Sequence, residues 1–320
     1  MAKLERRLAG WKSNLLSMGG WVTLIKSVLA CLPVYFMSLF QIPITIKDKL
    51  DKIQRKFLWG GTCSSRKIHW VDWNSVCNLK INGGLGIGDV GTKNRALLNK
   101  WVWRYGEEPR AMWKAIIDSK YGGDQYDLIP SLRHQRRFSG LWKNITKIMG
   151  SQDFPLNGSS PCIGYSLGDG NCIQFWKDEW IEDVVLKDAF PRIFALAVNK
   201  SGKVKEFGVW SNNVWHWEVS LRRRLFGWEL QQWSNLLSTL KRFVVYDSFK
   251  DFFVWKGSPS GKYSVNLYFK FVLRPTNMNK EIWKFVWMGF APPKVKVFCW
   301  QLMKDRIAIK EQLARRRLLD

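Results

Sequence analysis

The sequence predicts an α+β chain that is mainly helical, with an N-terminal helical bundle, short β-hairpins in the middle and helices again at the C-terminal end. Three observations carry that expectation. Apolar residues recur at i, i+4, i+7 and i+11 in the opening segments. From Cys162 the period shortens to alternation around glycine-rich turns. Hydrophobic residues make up 46% of 320 positions, enough for two or three modest cores.

Residues 1–60 read as a three-helix bundle. The first helix sets Leu4, Leu8, Trp11 and Leu15 on one face with Lys3, Arg6, Arg7 and Lys12 off it, and Gly19-Gly20 ends it. The second is the apolar run from Trp21 to Ile46, "WVTLIKSVLACLPVYFMSLFQIPITI", read as the buried member of the bundle. The third commits Ile46, Leu50, Ile53 and Phe57 to the core, which leaves Lys49, Lys52, Arg55 and Lys56 towards solvent, and Gly60-Gly61 closes it. Residues 61–160 form a connecting region. Ile68, Trp70 and Asp72 alternate like a short strand there; helices follow at 92–105, at 110–120 and over "LWKNITKIMG", and Arg133 to Arg137 reads as an exposed basic loop.

Residues 161–257 carry the hairpins. "CIGYSLGDGNCIQFWKD" alternates around Gly-Asp-Gly-Asn, and "DFFVWKGSPSGKYSV" turns over Gly257 to Gly261. Residues 258–320 return to helix. Pro292-Pro293 starts one whose Val295, Phe298, Cys299 and Leu302 share a face, and "IKEQLARRRLLD" is another that leaves Arg315, Arg316 and Arg317 exposed.

One stretch invites a specific chemistry. "GGLGIGDVG" matches G-x-G-x-x-G at Gly86, Gly88 and Gly91, the pattern of a dinucleotide-binding turn. Such a turn needs a buried strand before it, and Asn78, Lys80 and Asn82 interrupt any apolar run there. Asp89 would also set a negative charge where a pyrophosphate sits. A glycine turn before a helix is the simpler reading.

The balance of 51 Lys+Arg against 26 Asp+Glu gives a net charge of +25, and 20 tryptophans accompany it. A charge this large repels itself in the compact state and favours a polyanionic partner, nucleic acid first. The apolar run from Trp21 is long enough for a bilayer, but Lys26, Pro33, Gln41 and Pro43 argue for a buried helix, so no membrane partner is expected. Residues 1–16 lack the apolar core and cleavage site of a signal peptide. The six cysteines, Cys31, Cys63, Cys77, Cys162, Cys172 and Cys299, show no C-x-x-C spacing, and the three histidines are His69, His134 and His216. No metal site and no disulfide are expected; in the first hairpin Cys162 would lie near Lys177 rather than opposite Cys172. An intracellular compartment, nuclear or cytoplasmic, fits that usage. The acidic group Asp178, Glu179, Glu182 and Asp183 is the best candidate for metal-assisted catalysis, but no distant carboxylate motif completes it. No nucleophile motif and no Walker A loop occur, so no catalytic residue and no cofactor are expected.

Read together, "LAGWKSNLLSMGGWVTLIKSVLACLPVYFMSLFQIP", "KIQRKFLWGG", "RKIHWVDWNSVCNLKINGGLGI", "NRALLNKWVWRY" and "GDGNCIQFWKDEWI" resemble consecutive blocks of plant LINE-type (non-LTR) retrotransposon polyproteins, downstream of the reverse-transcriptase palm. "WKGSPSGKYSVNLYF" and "APPKVKVFCWQLMKDRIAIKEQLARRRLL" resemble the first half of the reverse-transcriptase zinc-binding domain. The resemblance implies a non-catalytic region, since the family's aromatic-x-Asp-Asp motif is absent and the chain stops at Asp320 before the Cys/His cluster. It places residues 1–60 where a polymerase thumb lies along RNA, RNA–DNA or DNA duplex. Lys49, Lys52, Arg55 and Lys56, with Arg66 and Lys67 beyond them, would then contact phosphates. Trp21, Leu79 and Ile309 stand where the family leads one to expect Arg, Pro and Thr. Such drift leaves an alternative open: a degenerate structural or interaction remnant with no nucleic-acid role.

Overall fold

The computed structural model describes residues 16–59, 68–123, 127–130, 138–149, 163–181, 184–246, 248–273 and 280–315. In chain order the helices are α1 (Met18–Leu24), α2 (Val34–Met37), α3 (Ile44–Leu58), α4 (Trp73–Cys77), α5 (Val90–Glu107), α6 (Met112–Tyr121), α7 (Gly140–Met149), α8 (Leu186–Ala189), α9 (Pro191–Leu196), α10 (Leu230–Leu240), α11 (Val265–Val272), α12 (Lys280–Trp287), α13 (Pro293–Met303) and α14 (Lys310–Arg315). The strands are β1 (Ile163–Ser166), β2 (Gly208–Ser211), β3 (Val214–Trp217) and β4 (Phe252–Trp255). The chain is thus α+β and mainly helical. It divides into two compact units, one made of residues up to Leu97 and from Tyr268 onward, the other of Leu98–Leu267, so that the boundaries fall near the middle of α5 and within α11.

The first unit draws its core from both ends of the sequence. Val22, Ile25, Leu29, Phe57 and Leu58 are buried with Val76 and Leu85, and with Trp283, Val297 and Trp300 from α12 and α13. The helix expected before Gly19 lies outside the described residues. The apolar run from Trp21 is not one buried helix. It is α1, a π-helical turn over Ile25–Leu29, and α2 after Pro33. Pro33 has no N–H to continue the ladder, so the run breaks there. Its second half is also largely uncovered: Tyr35 and Phe36 are 72% and 64% exposed. The bend that follows is held by Asn94, whose amide donates to the carbonyls of Met37 and Phe40 while its oxygen accepts from the Ile42 N–H.

Two further expectations fail in this unit for definite reasons. Residues 68–72 form no strand; Asp72 instead caps α4, its carboxylate accepting from the Ser75 N–H at 3.0 Å. On α13 the buried residues are Val297 and Trp300, whereas Val295, Phe298 and Leu302 face outward. That helix offers two apolar stripes, and its rotation is fixed by Trp300, whose indole donates to the Gly83 carbonyl at 2.9 Å. Arg316 and Arg317 lie outside the described residues, as does the Arg315 side chain.

In the second unit α5, α6 and α7 fall where the periodicity put them. The hairpins do not. β1 pairs antiparallel with β4, Ile163 opposite Trp255 and Ser166 opposite Phe252, rather than with the residues after Gly170. The Gly168–Ile173 loop is instead gathered by the buried Asp251, whose carboxylate accepts from the N–H groups of Gly168, Gly170, Cys172 and Ile173. β4 likewise has no partner strand after Gly261; one bond from the Trp255 N–H to the Gly261 carbonyl closes that loop, and α11 begins four residues on. The sheet formed by β2 and β3 is a hairpin that the sequence reading missed, turned by Asn212 and Asn213 in the left-handed region. The core of this unit is aromatic: Phe175 stacks on Phe207 at 4.1 Å, and Trp176 and Trp180 are buried beside them. Much of the tryptophan content is therefore core. The Arg133–Arg137 loop and Cys162 lie outside the described residues.

Candidate nucleic-acid interface

α3 is built to show one face. Its sequence, ITIKDKLDKIQRKFL, buries Leu50, Gln54, Phe57 and Leu58, with Ile53 half-buried beside them. On the opposite side Lys49, Lys52 and Lys56 are exposed. At 100° per residue these three fall within about 60° of one another, so the ammonium groups form one stripe along the axis. Ile46, expected in the core, stays 37% exposed because it precedes the level at which the unit's core begins. The helix is anchored at its start by a Lys47–Asp89 ion pair of 2.9 Å. That pair and the Thr92 N–H bond hold the Asp89 carboxyl below the usual carboxylate range, against the opposing effect of burial.

Arg55 does not join the stripe. It is half-buried, its guanidinium lies 5.7 Å from the centre of the Trp73 ring, and its Nε is enclosed without a hydrogen-bond partner. Burial together with the Arg55 charge also lowers the pKa of His69. Arg55 is thus committed to α4, and the four-residue expectation reduces to Lys49, Lys52 and Lys56. Arg66 and Lys67 lie outside the described residues. Sequence reasoning missed the exposed aromatic residues Tyr35, Phe36 and Phe40 between α1 and α3 in this unit; Pro33 and Pro43 on either side were the available sign that this segment would leave the core.

The other chemical candidates are engaged in structure. In the glycine stretch the N–H groups of Gly84, Leu85, Gly86 and Gly88 donate to the carbonyls of Leu79, Val76, Asn78 and Cys77, so this backbone cradles itself rather than a phosphate. Gly83, Gly86 and Gly88 take positive φ, which is what the glycines are for. Asp178 accepts from the Gln174 N–H at 2.7 Å, and burial raises its carboxyl to about 6. Glu179 is paired with Lys256. Glu182 and Asp183 lie outside the described residues. Burial pushes the thiols of Cys77 and Cys172 up to about 12. No helix among the described residues is long and apolar enough to cross a membrane.

A family model described as zinc-binding in reverse transcriptase matches residues 263–319. The "Putative ribonuclease H protein" of Arabidopsis thaliana is 30% identical over 335 aligned positions, which take in 99% of this chain and 50% of that protein. An "Uncharacterized mitochondrial protein" of the same plant is 31% identical over 153 positions, covering 48% of this chain and 94% of the relative. The chain belongs to the plant retrotransposon-derived reverse-transcriptase proteins. No solved structure matches this retrotransposon-derived chain. It spans half the length of the ribonuclease H relative. The metal in the family's description finds no set of ligands here: the matched stretch holds Cys299 and no histidine, and no group of three His, Cys, Asp or Glu side chains comes together among the described residues.

Proposed function

We propose that this chain is a non-catalytic nucleic-acid-binding region of a LINE-type retrotransposon reverse transcriptase, holding RNA, RNA–DNA or DNA duplex through its phosphates. The observation that carries the reading is α3, a helix locked into a core on one face and lined with Lys49, Lys52 and Lys56 on the other. Lysines placed this way act as point charges on backbone phosphates and read no bases, so binding would be salt-dependent and weakly selective for sequence. The net charge of +25 adds long-range attraction. The residues assigned to contact are Lys49, Lys52 and Lys56. Residues 1–60 around them would take the thumb's place, residues 61–160 and 161–257 the connecting and middle regions, and residues 258–320 the part similar to the zinc-binding domain.

A second reading, an interaction module with no nucleic-acid role, draws on the outward-facing Phe285, Met288 and Phe290. Fluorescence anisotropy of labelled RNA–DNA hybrid, double-stranded DNA and single-stranded RNA against the whole chain separates the two. The proposal expects binding at 50 mM salt that weakens steeply towards 300 mM. Absence of binding to all three probes at 50 mM salt would leave only the second reading.

A further inference from the structure

Lys26 sits in the π-helical turn Ile25–Leu29, a local widening of the helix that tends to occur at functional positions. Its side chain is half-buried, and no carboxylate among the described residues pairs with it. It lines a half-open cavity of about 420 Å³ together with Lys80, Lys296, Thr23, Ser27 and Trp287. A Cβ placed on Gly86 would lie 3.3 Å from the Lys26 Nζ, so the glycine turn passes close beside the ammonium group. Lys80 holds its Nζ 4.8 Å from the centre of the Trp287 ring at the same cavity.

We propose that the cavity lined by Lys26, Lys80 and Lys296 is an oxyanion site that takes a phosphate group, either the end of a nucleic-acid strand or a free phosphate compound. The three lysines are like charges drawn around one space, and no acidic residue lines it. Folding therefore half-buries the Lys26 ammonium beside two like charges, and an oxyanion supplies the missing counter-charge. Thr23 and Ser27 already donate their hydroxyls to the carbonyls of Gly19 and Thr23, so the donors free for the ligand are the ammonium groups. The volume admits a phosphate with several waters at about 30 Å³ each. The backbone N–H groups of the glycine turn take no part, being bonded within their own loop. This site stands apart from the exposed stripe on α3 and does not depend on the duplex reading.

Its chemistry makes a distinct mark. Burial, and next the Lys80 charge, bring the Lys26 ammonium down to about 8. The charged groups that line the cavity with it are Lys80, whose charge acts on it, and Lys296; α12 contributes Trp287 and the glycine loop Leu85. Binding of a divalent oxyanion should therefore weaken above about pH 8 by about tenfold per pH unit, as one proton is lost. Sulfate is the suitable probe for this, since its own charge does not change in that range.

The experiment is titration of the whole chain with sulfate and with inorganic phosphate by calorimetry, from pH 6.5 to 9.5. Saturable binding is expected, weakened about tenfold or more in Lys26→Gln/Lys80→Gln as two charge-assisted contacts are removed. Lys49→Gln/Lys52→Gln/Lys56→Gln should leave it unchanged. Oligonucleotides with and without a 5′-phosphate then distinguish the sources: a preference for the phosphorylated strand, lost in the Lys26/Lys80 variant, assigns the site to strand ends, and no preference assigns it to free phosphate. Lys80→Gln alone, at an exposed position, serves if the double variant loses its circular dichroism. The proposal is overturned if neither anion saturates, or if the folded lysine variants keep the parental affinity. Failure of duplex binding with sulfate binding intact would remove the α3 reading and leave this one.

Discussion

Replacing Lys49, Lys52 and Lys56 together by Gln should reduce the salt dependence of nucleic-acid binding without unfolding the protein. All three side chains are exposed on one stripe of α3, and the core face of Leu50, Gln54, Phe57 and Leu58 is untouched. Gln is close to Lys in helix propensity, so the cost to stability stays within about 0.5 kcal/mol. From 49 to 56 the helix rises about 10 Å at 1.5 Å per residue, and a strand of duplex offers a phosphate every 3.4 Å or so, which makes about three contacts the ceiling. Each neutralised phosphate adds about 0.9 to the slope of log affinity against log salt, hence a loss of up to about 2.7. Over 50 to 200 mM salt that slope alone is worth about 40-fold. Anisotropy titrations of a labelled hybrid duplex at four or five salt concentrations measure it directly. Arg55→Gln is the informative control, because its guanidinium rests on Trp73: it should lower stability and leave the slope near its parental value. A triple variant that keeps the parental slope would refute the assignment of this face, and an Arg55 variant that alone flattens it would show that the wrong side of the helix was chosen.

Three other outcomes are expected. Lys26→Met should stabilise the protein near neutral pH: the folded ammonium titrates at about 8 rather than 10.5, so the unfolded chain holds more protons between those values and parental stability rises across that window. The neutral side chain removes that cost, by about 1–2 kcal/mol after discounting for partial exposure, and thermal melts at pH 7 and 10.5 should show the advantage shrinking. Asp251→Asn sets an NH2 group against backbone donors that now share one carboxylate, and should cost about 2–4 kcal/mol in urea denaturation. Purified protein should hold no stoichiometric zinc by elemental analysis, because the matched stretch supplies a single cysteine and no histidine; one tightly held zinc per chain would contradict that.

What could be read from the sequence was what short-range periodicity controls. α3 and α5 to α7 follow from apolar spacing, because a helix makes its hydrogen bonds within itself and only its stripe must find a partner. The strands were mislaid for the opposite reason. β1 has its partner in β4 more than eighty residues on, and the choice is made by Asp251, a side chain that draws four N–H groups out of the hairpin that the Gly-Asp-Gly-Asn turn would have closed. The β2–β3 turn was legible and overlooked, since Asn-Asn between alternating Trp residues is the composition a left-handed two-residue turn requires.

The candidate site shows the same division at the level of single charges. Composition leads one to expect a polyanionic partner, but it cannot say which cations are available, because that depends on what folds over them. Lys49 and Arg55 look alike in the sequence of α3, yet one faces solvent and the other lies against Trp73, the first residue of a separate helix that begins just after the segment Ile68–Asp72 read as a strand. Lys26 is the sharper case. In the sequence it served only to argue that an apolar run does not cross a membrane. In the structure the run breaks at Pro33, and α12 and α13 return from the far end of the chain to form a wall beside it. A lysine enclosed beside two others with no acid lining the space is costly unless something anionic arrives. That makes its cavity a more discriminating test of phosphate binding than any exposed stripe, because solvated surface lysines would bind anions weakly and without a midpoint near pH 8.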